Sequence, residues 1–475
     1  MNENPTTFPP PPLSLNEPPK LSKPMLFALA ILVGIIAGLG AIAFRCLISF
    51  VFNLTFLGKI SFDFNGTNHI LPSIWGIGII FIPVIGAVII TWLINNFANE
   101  AKGHGVPEVM YAIHYKEGII RPVVAAIKAL ASAICIGTGG SVGREGPIIQ
   151  IGAAFGSILS QIIAMPKSQR IILIAAGSGA GIAATFNAPL AGVTFAIELL
   201  LVSICALSIG IVSVAAVTAT LLVYLLIGNE AVFISNAAKM PLNVTTLSIT
   251  TLLSIPLGFI IGSVCAAFIY SIYWFEDQFN KYIKNTYFRH MLGMFFVGIM
   301  FYLFMIFYGH YYIAGFGYST IQDLLNNIIN NPVLIILLIV GKFLATSLTL
   351  GSGGSGGIFS PSLYLGAMVG ALYGILAAYI FPTMHFDPAI FALVGMAAMV
   401  GGTTGAFVTA ILMLFEITGD YNTLLPSMIA VSIADNVRKY LSPETIYTLK
   451  IKRRGFALPE GLQSLMPETS RRLKI

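Results

Sequence analysis

The chain has 475 residues, of which 57% are hydrophobic and 9% are charged, and its mean hydropathy is +0.89. Soluble domains carry about 25% charged residues, so this composition excludes a soluble globular protein and indicates a polytopic membrane protein. The net charge of +6 comes from scattered or terminal basic residues, which does not indicate nucleic-acid binding. The four cysteines have no metal-ligand spacing, so the sequence predicts neither a metal nor a cofactor.

In chain order, a polar, proline-rich leader of residues 1–24 comes first and is predicted to be disordered and cytoplasmic. Basic residues flank the first apolar run and follow the last, so the positive-inside rule places both termini in the cytoplasm, with residues 451–475 as a short tail. The predicted location is the cell (inner) membrane. Runs long enough to cross a bilayer, at roughly 20 residues each, are Met25–Phe52, Leu71–Leu93, Ile171–Val202, Val212–Ile227, Leu252–Trp274, Met291–Tyr308, Pro332–Leu350 and Ile390–Phe415.

Glycine-rich breaks interrupt the apolar sequence at Gly103–Gly105, Gly137–Gly146, Gly177–Gly181, Gly351–Gly357 and Gly401–Gly405. Non-helical backbone is tolerated at membrane depth only where it lines a cavity or is buried in protein. In each half two breaks precede a lone glutamate, Glu198 or Glu416, which we expect to be a structural group at a helix end. This pattern predicts a repeat with halves of about 25–227 and 247–450, joined by a cytoplasmic loop at Glu276–His290, and broken helices at matching places favour a transport site.

Three of the breaks are followed by a proline that suits the first turn of a helix. Each helix N-terminus carries about half a unit of positive charge, so three converging ends bind an anion weakly enough to release it. The second break also contains Glu145, whose carboxylate costs roughly 2.5–3.5 kcal/mol inside a membrane. Neighbouring residues point apart on a helix, so a functional Glu145 is a better interpretation than a structural ion pair with Arg144.

In their order and spacing, these motifs resemble those of the CLC family of chloride channels and chloride/proton antiporters. The anion-binding signatures match Gly103–Pro107, Gly143–Pro147 and Gly357–Pro361, with supporting matches at Phe186–Gly192, Glu416–Gly419 and Ile446–Tyr447. The resemblance implies an all-α transmembrane domain at 25–450, made of two inverted repeats of tilted, partly discontinuous helices. It also implies a homodimer with one pore per subunit, and we expect no C-terminal CBS domains.

The resemblance also implies roles for matching positions. Glu145 corresponds to the gating glutamate, whose carboxylate competes with chloride and swings away when it is protonated. Lys128 corresponds to a basic position that raises the local potential for anions. The expected partners are chloride as the bound ligand, protons, other monovalent anions and membrane lipid. The implied anion-binding residues are His104, Gly143, Arg144, Gly146, Ile358, Phe359 and Tyr447.

Two positions depart from the family pattern. His104 stands where the family usually has serine, which leaves selectivity open between chloride and another anion such as nitrate. Leu199 stands at the position of the internal proton-relay glutamate, and leucine cannot carry a proton. The sequence therefore slightly favours an uncoupled, voltage- or pH-gated chloride channel. The alternative is a chloride/proton antiporter in which His104 or ordered water replaces the missing acceptor.

A remote alternative belongs to a different class of protein. An intramembrane serine hydrolase would use Ser352, in the sequence Gly351–Gly353, as the nucleophile and His104 as the base. Such a pair requires contact within about 3.2 Å, and the sequence gives no reason for that contact. The leading interpretation is therefore that the protein is not an enzyme.

Overall fold

The computed structural model describes residues 18–62, 69, 72–228, 233, 244–384, 386–419, 421–456 and 458. Within these ranges every regular element longer than an isolated bridge is helical. Most of the predicted leader and of the predicted tail lies outside the described residues, so what the sequence predicts for them stays a prediction.

The first half of the described chain contains eight α-helices. They are α1 (Lys23–Phe52), α2 (Ile82–Phe97), α3 (Val106–Tyr115), α4 (Pro122–Gly137), α5 (Glu145–Ile162), α6 (Lys167–Phe186), α7 (Pro189–Phe195) and α8 (Ala206–Leu226). Short turns of other helix types, at Asn53–Leu57, Gly76–Phe81 and Ala196–Leu200, extend α1, precede α2 and extend α7.

The second half contains eight more helices, followed by a short terminal one. They are α9 (Val244–Tyr282), α10 (Thr286–Tyr308), α11 (Tyr318–Leu325), α12 (Pro332–Ser352), α13 (Phe359–Ile380), α14 (Pro388–Thr404), α15 (Phe407–Thr418) and α16 (Leu424–Leu441), and then α17 (Ile446–Arg453). The segment Glu276–His290, predicted as a loop between halves, is instead mostly helical, because α9 continues to Tyr282 and α10 begins at Thr286.

Eight helical segments of the described chain are long and apolar enough to cross a membrane. Two predicted runs are broken rather than continuous. Ile171–Val202 is interrupted at Asn187, which takes a left-handed φ of 55° before Pro189. The break predicted at Gly177–Gly181 is wrong, because these glycines lie inside the continuous helix α6, where Gly177 packs against Gly152 of α5. Ile390–Phe415 is interrupted at Gly405, with φ 77°, at the end of the predicted break Gly401–Gly405. One spanning helix, Phe359–Ile380, was missed from the sequence; it begins just after the glycine break Gly351–Gly357.

The two sets of eight helices follow one packing plan. In the first set α1 packs on α6 and α8, and α5 packs on α6; in the second, α9 packs on α14 and α16, and α13 packs on α14. Each pair recurs eight helices later, as expected for the inverted repeats of this fold. The change from one repeat to the next therefore falls between α8 and α9.

Two glutamates join the repeats at equivalent places. The Glu198 carboxylate accepts hydrogen bonds from the N–H groups of the second and third residues of α15, at 2.7 and 2.9 Å, and from the Thr409 hydroxyl at 2.6 Å. The Glu416 carboxylate accepts from the N–H groups of the second and third residues of α7, at 2.9 and 2.8 Å. Each helix of this pair is thus capped by an acid from the other repeat, where N–H groups lack intrahelical partners.

Candidate anion site

Three loops meet inside the helix bundle, each at the start of a helix: residues 103–105 before α3, 139–144 before α5 and 353–358 before α13. Gly143 and Gly357 exchange backbone hydrogen bonds, with N···O distances of 2.7 and 2.6 Å. The Gly103 N–H donates to the Gly354 carbonyl at 3.1 Å, and the Gly103 carbonyl accepts from the Gly356 N–H at 3.2 Å. Backbone hydrogen bonds therefore join the three glycine motifs into one unit.

This close approach requires glycine at two positions. A Cβ atom on Gly146 would lie 2.1 Å from the His104 carbonyl oxygen, and one on Gly357 would lie 2.7 Å from the Gly146 nitrogen. Contacts this short with backbone atoms cannot be relieved by rotating a side chain. The missing Cβ atoms therefore bring the starts of α5 and α13 together.

Glu145 is the first residue of α5, and its side chain is fully buried. Two hydroxyl groups donate to its Oε1 atom, Tyr318 at 2.6 Å and Ser360. The Ser360 N–H, at the second position of α13, lies 3.4 Å from Oε2. The carboxylate thus occupies a place surrounded by hydrogen-bond donors at a helix N-terminus, which is a suitable environment for an anion.

Arg144 does not form an ion pair with Glu145, which was the structural alternative to a functional role for this glutamate. Its guanidinium donates to the Thr185 carbonyl at 3.2 Å. It also lies 5.7 Å from the ring centres of both Phe316 and Tyr318. The positive charge therefore lies beside Tyr318, which donates a hydrogen bond to Glu145, and contributes to the local potential.

His104 is buried, and neither of its ring nitrogens has a hydrogen-bond partner among the described residues. Its ring lies edge-to-face against Tyr273, with centroids 6.3 Å apart. A buried polar group without a partner costs about 1–3 kcal/mol, and a neutral imidazole always carries one N–H donor. His104 therefore has a donor that no group of the described residues uses.

The serine hydrolase alternative is not supported by the geometry. The Ser352 hydroxyl donates to the Thr349 carbonyl at 3.3 Å, within its own helix. Neither ring nitrogen of His104 forms a hydrogen bond with this hydroxyl. The nucleophile and base that this alternative requires are therefore not paired.

Lys128 is fully buried and holds two of the three loops together. Its ammonium group donates to the carbonyls of Ala101 and Gly103, at 3.0 and 2.6 Å, and to the Ser355 hydroxyl at 3.0 Å. These bonds satisfy the three protons of an ammonium group. Lys128 thus brings a positive charge to the site and fixes the loop that carries His104.

The remaining predicted residues lie around the same unit. Ile358 and Phe359 are buried at the start of α13, where N–H groups lack intrahelical acceptors. Tyr447 is buried as the second residue of α17. The start of α17 is fixed by Tyr273, whose hydroxyl donates to the Ile446 carbonyl at 2.5 Å.

Leu199 is partly buried and packs against the apolar core, in the turn that extends α7. The neighbouring carboxylate, Glu198, is used to cap α15. Neither residue therefore supplies an uncommitted carboxylic acid near the site.

Two residues that donate to the Glu145 carboxylate were assigned no role from the sequence: Tyr318, and Ser360, which lies within the signature Gly357–Pro361. A signal for the first was available, because Gly315–Gly317 repeats the Gly-x-Gly pattern of Gly103–Gly105 at the equivalent place in the second repeat. Glycine is needed in both loops, where Gly103, Gly105, Gly315 and Gly317 all have positive φ.

A family model described as voltage gated chloride channel matches residues 86–439. The chain belongs to the CLC family. A curated relative, the H(+)/Cl(-) exchange transporter ClcA of Vibrio cholerae, is 32% identical over 432 residues, which cover 90% of this chain and 88% of the relative. The ClcA of Yersinia pestis is 28% identical over 442 residues, covering 90% and 87%. The protein is therefore a multi-pass membrane protein of an anion-transport family, as the motifs predicted.

Solved structures agree with this assignment. The structure of a slow cyanobacterial Cl-/H+ antiporter has a TM-score of 0.78 and 26% identity, covering 90% of this chain and 97% of the other. A CLC-type fluoride/proton antiporter has a TM-score of 0.72 with 22% identity, over 90% and 97%, which supports the fold alone. The predicted fold class is confirmed. The preference for an uncoupled channel is not confirmed, since the names of these relatives favour the antiporter alternative.

Proposed function

We propose that the protein exchanges chloride for protons across the membrane, with Glu145 as both the gate and the proton carrier. The observation that carries this proposal is the position of the Glu145 carboxylate, buried at the start of α13 and held by hydroxyl donors. A tethered carboxylate in such a place competes with a free anion for the same donors. Protonation removes its charge, so it then yields the place to chloride. The names of the curated relatives support coupling of the two ions.

The surrounding residues have separate roles in this scheme. The place occupied by the carboxylate is the outer site, which we define by Gly143, Gly146 and Ser360. The amides of Ile358 and Phe359, the hydroxyl of Tyr447 and the unused N–H of His104 bind chloride at a second, central site. Arg144 and Lys128 raise the potential along the path. Backbone amides and neutral donors carry only partial charges, so chloride binds and still leaves.

Proton transfer on the inner side requires a route that does not use residue 199. Leu199 has no ionisable group, and Glu198 is committed to capping α15. We assign this transfer to ordered water beside His104, whose ring nitrogens have no hydrogen-bond partner in the described part of the chain. The imidazole is able to donate to such water or to accept from it.

The assembly and orientation follow from the same family resemblance. We propose a homodimer with one complete path in each subunit, since the three loops and Tyr447 all come from one chain. The proposed location is the inner membrane of a bacterial cell, surrounded by lipid. Both termini then lie in the cytoplasm, in agreement with the basic residues at the chain ends.

The deciding experiment records chloride and proton movement together in liposomes that contain the purified protein. With an outward chloride gradient and no pH gradient, exchange drives protons inward against the developing gradient. Chloride efflux without proton movement would instead identify an uncoupled channel. In the Glu145→Gln variant, proton movement should stop, while chloride flux continues and no longer varies with pH. Competition by nitrate in the same assay identifies the preferred anion.

A further inference from the structure

We infer that Tyr318 is a ligand of the outer site. Its hydroxyl binds whichever anion occupies the place: the Glu145 carboxylate when the gate is closed, and the transported anion when it is open. This inference rests on the proposed gating role of Glu145, and it adds a side-chain donor from α11 to a site that the sequence motifs build from α5 and α13.

The geometry at the carboxylate carries the first step. The Tyr318 hydroxyl lies 2.6 Å from Glu145 Oε1, and the Ser360 hydroxyl donates to the same oxygen. The two hydroxyl oxygens are 3.0 Å apart. A hydroxyl proton rotates about its C–O bond, so both groups are able to follow an anion that replaces the carboxylate without moving their oxygen atoms.

The loop that carries Tyr318 is rigidly placed. Lys342 is fully buried, and its ammonium group donates to the carbonyls of Ile313 and Gly315, at 3.1 and 2.7 Å. Gly317, with φ 77°, leads directly into α11, and a Cβ there would lie 2.7 Å from the ring of Tyr364. The start of α11 is therefore held against α12 and α13. A donor fixed in this way binds an anion without the cost of reorganisation.

The ring of Tyr318 is also enclosed on its sides. It lies 4.8 Å from the ring of Phe316 and 5.1 Å, edge-on, from the ring of Phe233, measured between centroids. The Arg144 guanidinium stands 5.7 Å from its centre. These contacts prevent the side chain from swinging out with the gate, so its hydroxyl remains in the site after Glu145 leaves.

The inverted repeat explains why a donor stands at this position. In the first repeat a buried lysine, Lys128, holds the carbonyls of residues 101 and 103, and the loop presents His104 at the start of α3. In the second repeat Lys342 holds the carbonyls of residues 313 and 315, and the loop presents Tyr318 at the start of α11. The same lysine-and-loop arrangement therefore occurs twice, in opposite orientations, and we assign one polar side chain to each end of the path.

The test compares Tyr318→Phe in two backgrounds. In Glu145→Ala protein the outer site is open, and chloride affinity measured by titration calorimetry in detergent should fall about tenfold, because one hydrogen bond to a charged group is lost. In the parent protein, which retains Glu145, the same change removes a hydroxyl donor from the carboxylate of the closed gate. Chloride flux in liposomes should therefore rise several-fold. Structural damage alone would lower both quantities, so opposite signs are the distinguishing result.

Two further variants keep the test decisive. Ser360→Ala removes the other hydroxyl and should act in the same directions as Tyr318→Phe. The matched control is Tyr312→Phe, which removes a hydroxyl from the same loop but whose ring packs against His69 and Phe304; it should leave both quantities unchanged. Unchanged chloride affinity for Tyr318→Phe in the Glu145→Ala background overturns the inference. If Glu145→Ala by itself leaves chloride flux as pH-dependent as in the parent protein, the proposed gate is wrong, while the binding comparison still tests Tyr318.

Discussion

Gly146→Ala tests whether the spacing of the three loops determines anion passage. The new Cβ would lie 2.1 Å from the His104 carbonyl oxygen and 3.0 Å from the Gly357 Cα. Ordinary van der Waals contact begins at 3.4 Å, so the first loop must move by about 1.3 Å relative to α5. Both neighbours are backbone atoms, and the displacement therefore cannot be confined to one side chain.

Two consequences of this displacement have different sizes. Forcing a methyl group into a packed interior costs about 1–3 kcal/mol of stability, which a protein of this size tolerates. A shift of about 1 Å in groups that must be placed accurately costs up to about 100-fold in rate. We therefore expect folded protein whose chloride flux is lower by about 10- to 100-fold, and the loss should persist in the Glu145→Ala background.

The assay is chloride efflux from liposomes, normalised to the amount of monodisperse protein. The matched control is Gly40→Ala in α1, where the nearest atom to the new Cβ, on Phe155, is at an ordinary 3.6 Å. This control should retain the flux of the parent protein. Equal flux in the two variants would refute the reasoning that the glycine at position 146 sets the geometry of the site.

Other changes address the caps, the lysine and the histidine. Glu198→Ala should lower the free energy of unfolding by about 2–4 kcal/mol and Glu416→Ala by about 1–3 kcal/mol, because the first change removes three hydrogen bonds and the second removes two. Thermal unfolding in detergent measures which variant is less stable. A less stable Glu416→Ala variant would contradict the explanation from hydrogen bonds. Lys128→Met removes one donor from each of two carbonyls and from the Ser355 hydroxyl, and it removes the link between two of the loops, so flux per folded protein should fall well below that of the matched exposed change Lys439→Met. His104→Ala should weaken chloride binding about tenfold in calorimetry, whereas an unchanged affinity would show that its free N–H does not face the anion.

Local sequence patterns predicted much of the site. The breaks at Gly103–Gly105 and Gly351–Gly357 were predictable because glycine and proline act on the backbone at their own positions. Glu145 was conspicuous because a carboxylate in an apolar segment is costly wherever the chain folds. Hydropathy alone presents Ile171–Val202 and Ile390–Phe415 as continuous, because an apolar average does not register a single left-handed residue. The glycines of Gly401–Gly405 indicated the second interruption, whereas those of Gly177–Gly181 lie inside a continuous helix and did not indicate the first, at Asn187.

The sequence by itself determined that this is a membrane protein with broken helices and an acid placed among glycines, since run length, composition and local backbone chemistry need no knowledge of partners. Only the tertiary structure decided which groups meet. Tyr318 contacts Glu145 across 173 residues, Ser360 contacts it across 215, and Glu198 reaches Thr409 across 211. These contacts arise because two repeats pack in opposite directions, and no spacing along the chain specifies which loop of one repeat faces which helix of the other.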